Sequence, residues 1–446
     1  MASPVRFGTD GIRGRFGDEI TVDLAYRLGR AVAEVFGPSG RPVFVGYDTR
    51  ESSPALASAV LAGLSDGAAR GVNLGAFTTP GVAVIARARG GVGVVVSASH
   101  NPYYDNGLKV LGPGGGKLDH ETEEAVADAL HRAPARVGED VDAPAIDDTA
   151  EHEYVAHLRS HVSSDLSALR LVVDCANGAA SHVAHELYES TGARVTVIND
   201  RPDGRNINLE SGSTHVAGLA AAVVEAGADL GLAFDGDADR LVAVDERGAV
   251  RDGDDLMVLF ALDMLEGGGL DGGMAVTTMS NLGLHRALAA REVDVVETDV
   301  GDRNVLLALE ERAWRFGGEQ SGHLIFRDRS PTGDGLLTGL LLCDLVARRG
   351  SLYDQAEAAW RRVPQALVNV ARERYDDDAV RGLFSAVVAE HGVGLDDVRL
   401  VIRPSGTEPV VRVMVEALDA DVVDTFVARL RAQHPVEPPK GEKTPE

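Results

Sequence analysis

The sequence predicts an α/β protein: three similar α/β domains with mixed sheets, followed by a smaller C-terminal α+β domain. Three observations predict it. At 446 residues the chain is too long for one hydrophobic core, and its length suggests about three or four domains. Apolar β-branched runs alternate with helical stretches, the pattern of parallel or mixed sheets covered by helices. Three times, an apolar run breaks off into a polar, ligand-like loop, which is a loose repeat without strict sequence identity.

The elements follow in order. Domain 1 is expected over residues 1–152, with strands at 42–46 and 91–96 and a helix at 55–64. The valine run at 92–96 reads as a strand buried on both faces. Pro102 and the Asp105-Asn106-Gly107 turn then end that strand, so Ser99 is carried to its carboxyl end, where open α/β sheets hold ligands. An Ala-, Pro- and Asp-rich surface segment, 132–150, leads to domain 2 at 153–252. Its opening is helical (151–161), a strand follows at 169–174, and the strand 229–234 runs into Asp235-Gly236-Asp237-Ala238-Asp239-Arg240. Domain 3, 253–365, begins with an apolar helix at 255–265 and a strand at 274–278. Domain 4, 368–433, has two strands, 400–403 and 410–415, around a loop, and then a helix. Residues 365–369 are the expected hinge, and the Pro-rich, charged tail 434–446 is expected to be disordered.

Composition narrows the function. Apolar content of 44% and charged content of 25% are ordinary for a soluble globular chain. A formal net charge of −26 opposes binding to nucleic acid or an anionic membrane surface, so any anionic ligand needs a local cationic site. Cys175 and Cys343 are too few for a disulfide framework and read as reduced core thiols. The opening MASPVRFGTDGIRG has no apolar signal region, and no run approaches about eighteen apolar residues, so a cytoplasmic location is expected.

Four stretches carry chemistry. Asp235, Asp237 and Asp239 alternate in a tight loop, and three such carboxylates converge on a hard divalent cation or else repel one another. An EF-hand is excluded, because Arg240 stands where the turn needs glycine and both flanks read as strands. Ser99 has His100 beside it, yet sequence neighbours rarely point at each other and no G-x-S-x-G elbow is present. On its own, a loop serine such as Ser99 is structural more often than nucleophilic. Arg403-Pro404-Ser405-Gly406-Thr407-Glu408-Pro409, with Arg412 beyond, gathers two guanidinium groups, two hydroxyls and loop amides into a concave anion site, though it could be a structural turn. Gly318-Glu319-Gln320-Ser321-Gly322-His323 suits sugar hydroxyls, but His323 alone is as compatible with a structural role.

Together these stretches resemble the α-D-phosphohexomutase superfamily over nearly the whole chain. The resemblance rests on FGTDGIRG at 7–14, SASHNP at 97–102 with DNGLKV at 105–110, DCANGAAS at 174–181 and DGDADR at 235–240. It continues in GDR at 301–303, GEQSGH at 318–323, TGDG at 332–335 and RPSGTEP at 403–409. It implies four domains arranged around a central cleft, a phosphoserine at Ser99, and a Mg2+ held by that phosphate with Asp235, Asp237 and Asp239. Arg240, Lys109 and His100 are then implied in phosphoryl transfer, with Lys109 as acid, base or charge stabiliser. Glu319, Gln320, Ser321 and His323 would bind the sugar, and Arg403, Ser405, Gly406, Thr407 and Arg412 its distal phosphate. Gln320 stands where relatives acting on mannose or glucose phosphates commonly carry methionine. GEQSGH together with the FGTDGIRG opening resembles instead the members that act on hexosamine phosphates. The substrate implied is therefore a hexosamine phosphate, interconverted between its 6- and 1-phosphates through a hexosamine 1,6-bisphosphate, and a homodimer is compatible with the family. Members often have cysteine before GSTH, where this chain has Ser211, outside the site loops. Rival readings are a phosphomannomutase or phosphoglucomutase of the same fold, or a metal-dependent sugar phosphatase. The separate RPSGTEP loop speaks against the phosphatase, since a hydrolase has little need to regrip its product.

Overall fold

A computed structural model describes residues 11–135, 144–405 and 409–434. It divides into two compact units, residues 1–277 with 296–359, and 278–295 with 360–446.

The first unit contains three sheets built on one plan. The first sheet comprises β1 (Ile12–Arg15), β2 (Val43–Tyr47), β3 (Gly71–Ala76), β4 (Val92–Val96) and β5 (Asp105–Leu111), in the order β1-β5-β4-β2-β3. β3, β2 and β4 run parallel, while β5 is antiparallel to β4 and β1 to β5. All five residues of β4 are buried, as its unbroken valine run predicts. The second sheet repeats the plan with β6 (Arg170–Asp174), β7 (Arg194–Ile198), β8 (Leu230–Phe234), β9 (Leu241–Asp245) and β10 (Val250–Arg251), ordered β10-β9-β8-β6-β7. Again three strands are parallel and β9 turns back along β8.

In the third sheet are β11 (Gly273–Thr277), β12 (Asp294–Thr298), β13 (Phe316–Gly318) and β14 (Leu324–Phe326), with β13 parallel to β11 and antiparallel to β14. The loop that joins the last parallel strand to its antiparallel neighbour is thus the Ser99 loop in the first sheet, the Asp235–Arg240 loop in the second and the Glu319–His323 loop in the third. The loose repeat in the sequence is a repeat of topology.

Two helices over the first sheet, Val22–Phe36 and Ser53–Asp66, meet through glycines. A Cβ on Gly29 would lie 2.1 Å from the Val60 carbonyl oxygen, and one on Gly63 2.1 Å from that of Tyr26. Cys175 and Cys343 are buried free thiols. No described helix is long and apolar enough to cross a membrane.

In the second unit β15 (Gln365–Ala371), β16 (Val398–Pro404) and β17 (Val410–Ala417) form an antiparallel sheet, ordered β15-β17-β16. The helices Asp377–His391 and Ala420–Gln433 supply Val380, Val387 and Phe426 to a core shared with Val368, Val413 and Val415. The hinge expected at 365–369 therefore falls inside β15, each of whose residues is paired with β17. Bending there would break ladder hydrogen bonds, so the ladder argues against a hinge within this strand. The expected disordered tail lies outside the described residues, apart from His434.

Candidate active site

β4 ends at Val96, and three residues later Ser99 adopts φ +53°, the left-handed region that non-glycine residues enter only when their surroundings hold them there. The surroundings do so. Ser97 Oγ accepts from the Ser99 amide at 2.9 Å and donates to Asp48 Oδ2 at 2.7 Å. Asp48 in turn pairs with Arg50 at 2.8 Å, both side chains being fully buried. The Arg50 guanidinium donates to the carbonyls of Ser99 (2.9 Å), Asn101 (2.8 Å), Asp105 (3.0 Å) and Pro102. From the second sheet, Asn208 Nδ2 donates to the same Ser99 and Asn101 carbonyls at 2.9 and 3.1 Å.

The acidic loop meets this loop closely. A Cβ on Gly236 would stand 2.5 Å from the Ser99 carbonyl oxygen, so only glycine admits the contact. Ser99 Oγ donates to Asp235 Oδ2 at 2.5 Å. One carboxylate oxygen from each of Asp235, Asp237 and Asp239 lies within 4.8 Å of the others, and all three residues are buried. Lys109, on β5, donates to Asp237 Oδ2 at 2.8 Å and lies 3.9 Å from Asp239; Thr79 Oγ1 also donates to Asp237 Oδ2, at 2.7 Å. Asp237 Oδ1 and Asp239 Oδ1 remain buried without a hydrogen-bond partner. Two orphaned carboxylate oxygens in one oxygen-only cluster fit a hard divalent cation.

Charge is divided unevenly here. Burial, reinforced by Asp239 and Asp237, pushes the Asp235 carboxyl well above its usual range. Burial opposes ionisation of Asp239 too, but His323, Lys109 and Arg240 outweigh it and hold the carboxyl well below the usual range. His323, 3.7 Å from Asp239 and 3.8 Å from Asp302, is raised to about 9: burial lowers it, and the neighbouring carboxylates, Asp239 foremost, more than compensate. His100 is lowered to about 4, by burial first and then by Arg240 and Arg13. Its Nδ1 lies 3.1 Å from Arg240 Nη1 and 3.4 Å from Ser99 Oγ, so a neutral imidazole accepts from the guanidinium. That contact commits the nitrogen lone pair facing Ser99.

The third loop lies beside these groups. The Glu319 carboxylate accepts from the Gly301 amide at 3.1 Å and, at 3.5 Å, from the exposed Ser321 hydroxyl. Gln320 Nε2 donates to Asp254 at 3.1 Å. The structure thus gathers Ser99, His100, Lys109, the three aspartates, Arg240, Glu319 and His323 in the first unit.

Arg403, Ser405 and Arg412 belong to the second unit, while Gly406 and Thr407 lie outside the described residues. Arg403 on β16 is directly opposite Arg412 on β17. Facing like charges are unfavourable in a ladder and become favourable when an anion sits against both.

Asp48, Arg50, Ser97, Thr79 and Asn208 were not legible as site residues. The available signal was position: Asp48-Thr49-Arg50 follows the carboxyl end of a parallel strand, β2, where open sheets place functional groups.

Comparison with known proteins agrees with this arrangement. Sequence profiles described as phosphoglucomutase/phosphomannomutase match in order: alpha/beta/alpha domain I at 4–136, domain II at 152–248, domain III at 252–363 and the C-terminal domain at 367–433. The chain is 44% identical to a phosphoglucosamine mutase of Mycolicibacterium vanbaalenii over 440 residues, 95% of this chain and 97% of that protein. A phosphoglucosamine mutase of Moorella thermoacetica is 43% identical over 95% of this chain and 98% of its own length. A solved phosphoglucomutase/phosphomannomutase family protein from Burkholderia thailandensis superposes with a TM-score of 0.78 at 25% identity, covering 98% of this chain and 99% of that one.

Proposed function

The chain belongs to the phosphoglucomutase/phosphomannomutase family, and we propose that it interconverts glucosamine 6-phosphate and glucosamine 1-phosphate through a phosphoserine at Ser99. The observation that carries this reading is the Ser99 hydroxyl bonded into a buried aspartate triad, with Lys109 and Arg240 beside it. The choice of a glucosamine phosphate is supported by identity to phosphoglucosamine mutases along almost the full chain.

In this reading phospho-Ser99 gives its phosphoryl group to the free hydroxyl of the sugar phosphate. The bond from phosphorus to the serine oxygen breaks, one to the sugar oxygen forms, and the proton that the sugar hydroxyl releases is balanced by one taken up at Ser99 Oγ, which is left as a hydroxyl. Glucosamine 1,6-bisphosphate results; it turns end for end, and its other phosphoryl group returns to Ser99. Asp235, Asp237 and Asp239, with the Ser99 phosphate, would hold Mg2+, which when bound supplies charge neutralisation to the phosphoryl group. Arg240 and Lys109 add cationic charge around the transferring group, and such transfer depends chiefly on positioning and electrostatics. His100 steadies Arg240 as a neutral acceptor. Glu319, Gln320, Ser321 and His323 orient the sugar, and Arg403, Ser405, Gly406, Thr407 and Arg412 grip the phosphate that is not reacting. The bisphosphate also serves as activator, and a cytoplasmic homodimer completes the proposal.

The test is turnover of glucosamine 6-phosphate followed by 31P NMR, with Mg2+ and catalytic bisphosphate present. Isomer should form, and intact mass with peptide mapping should find one phosphate on Ser99. Ser99→Ala should abolish isomer formation while sugar-phosphate binding persists. An active Ser99→Ala variant would falsify the mechanism, and preferred turnover of mannose 6-phosphate would overturn the substrate.

A further inference from the structure

We propose that a cavity of about 530 Å3 beside the glycine-rich loop 112–117 is a second binding site, built for an organic phosphate. None of the residues assigned to phosphoryl transfer or sugar binding lines it, and the inference stands independently of the reading above. Its volume falls within the roughly 300–1,000 Å3 of small-molecule sites.

Charge is the first argument. Arg87, Lys117, Arg303 and Arg327 all line the cavity, in a chain whose net charge is −26. Two of these cations are answered within the protein: Lys117 by Asp302 at 2.7 Å and Arg303 by Glu123. The other two are not. Arg87 Nη2 donates to the Arg329 carbonyl at 2.8 Å, and Arg327 Nη1 to the carbonyls of Leu309 and Trp314 at 3.0 and 3.1 Å. Carbonyl oxygens carry no net charge, and neither guanidinium has a carboxylate in ion-pairing range among the described residues. Each also keeps nitrogens that no described protein group engages, so both remain able to donate to an anion. Asp119 and Glu310 also line the cavity and carry opposing charge, but both are exposed to water, and Asp119 caps a helix by accepting from the Thr122 amide at 2.7 Å.

The second argument is a polar group left over. Ser330 lines the cavity, is 1% exposed, and its hydroxyl is buried without a hydrogen-bond partner. Such a hydroxyl is costly unless something bonds it. A phosphate oxygen between the two guanidinium groups would.

The third argument concerns the rest of the ligand. Leu306, Leu307 and Pro331 form an apolar part of the lining, and Leu307 is 47% exposed on a helix that otherwise covers a core. Inorganic phosphate would leave that surface wet. A phosphate ester with an apolar or planar moiety would cover it.

Phenyl phosphate is the probe, titrated calorimetrically into the full chain with Mg2+ and saturating glucosamine 6-phosphate. Wild type should bind it, and inorganic phosphate more weakly. Arg87→Gln with Arg327→Gln should weaken binding by about tenfold or more while leaving sugar-phosphate turnover unchanged. Because Arg327 also holds the Leu309 and Trp314 carbonyls, Leu307→Glu provides an independent, surface variant that should repel the probe equally. Undiminished binding in both variants, or none in wild type, overturns the site; equal affinity for inorganic phosphate overturns the organic ligand. Failure of the mutase reading would appear instead as absent isomerisation, with the variant effect on phenyl phosphate intact.

Discussion

At the scale of single residues, the conformation of the Ser99 loop depends on a buried side chain that lies outside it in sequence. Arg50 is bound to Asp48, both side chains fully buried, and to four carbonyls of residues 99–105. Arg50→Met leaves Asp48 as an uncompensated buried charge, and should cost about 3–5 kcal/mol of stability, read as a fall in the urea midpoint. Single residues also set the response to acid. His161 is lowered to about 4, by burial first and then by His157 and Arg329; its ring lies edge-on to His157 at 4.8 Å. Unfolded, it titrates near its ordinary 6.5. The folded chain therefore binds fewer protons in that window, and the contribution of His161 is intact above pH 6.5 and lost as pH falls toward 4. Thermal midpoints measured from pH 7 to 4 should fall less steeply in His161→Gln than in wild type. The aspartates could be read from the sequence because an apolar strand delivers them abruptly to a tight loop, whereas Ser99, in a similar setting, drew its role from the family resemblance alone. Arg50 and Asn208 could not, because their roles exist only through space: in YDTRESS and NINLES they look like ordinary turn residues.

At the scale of elements, the recurring unit is a parallel strand, a loop and an antiparallel return. Strand and helix alternation was legible, since it is local; the antiparallel β1, and the pairing of β15 with β17, were not. β15 follows a proline and reads as a linker, whereas its valines, Val368 and Val370, are buried in the second core. Helix contacts were equally hidden. Alanine normally stabilises a helix relative to glycine by about 1 kcal/mol. At Gly63 the sign should reverse, because the new methyl would meet the Tyr26 carbonyl at 2.1 Å. Gly63→Ala should destabilise by about 1–3 kcal/mol in chemical denaturation, the range for overpacking.

At the scale of the whole molecule, the length predicted several cores, and the two compact units each hold at least one. The second unit closes its own core, and it recruits residues 278–295 from far away in sequence. Asn281 binds Val363 through both main-chain groups, at 2.9 Å each, and the buried Glu416 accepts from the Leu282 amide. Nothing local in the sequence announces such a recruitment, because neither partner is unusual alone. Calorimetry of the full chain should therefore depart from two-state behaviour, the measured enthalpy exceeding the van't Hoff value; a single two-state transition would show the units to be energetically fused.

The positive φ of Ser99 also restricts which amino acid could serve as the proposed phosphoryl carrier. Threonine offers the same hydroxyl and serves as an acceptor in many phosphoproteins. Its branched β-carbon, however, is poorly tolerated in a left-handed backbone. Position 99 is thus closed to the residue chemically closest to serine, and the exclusion is made by the main chain rather than by any reaction.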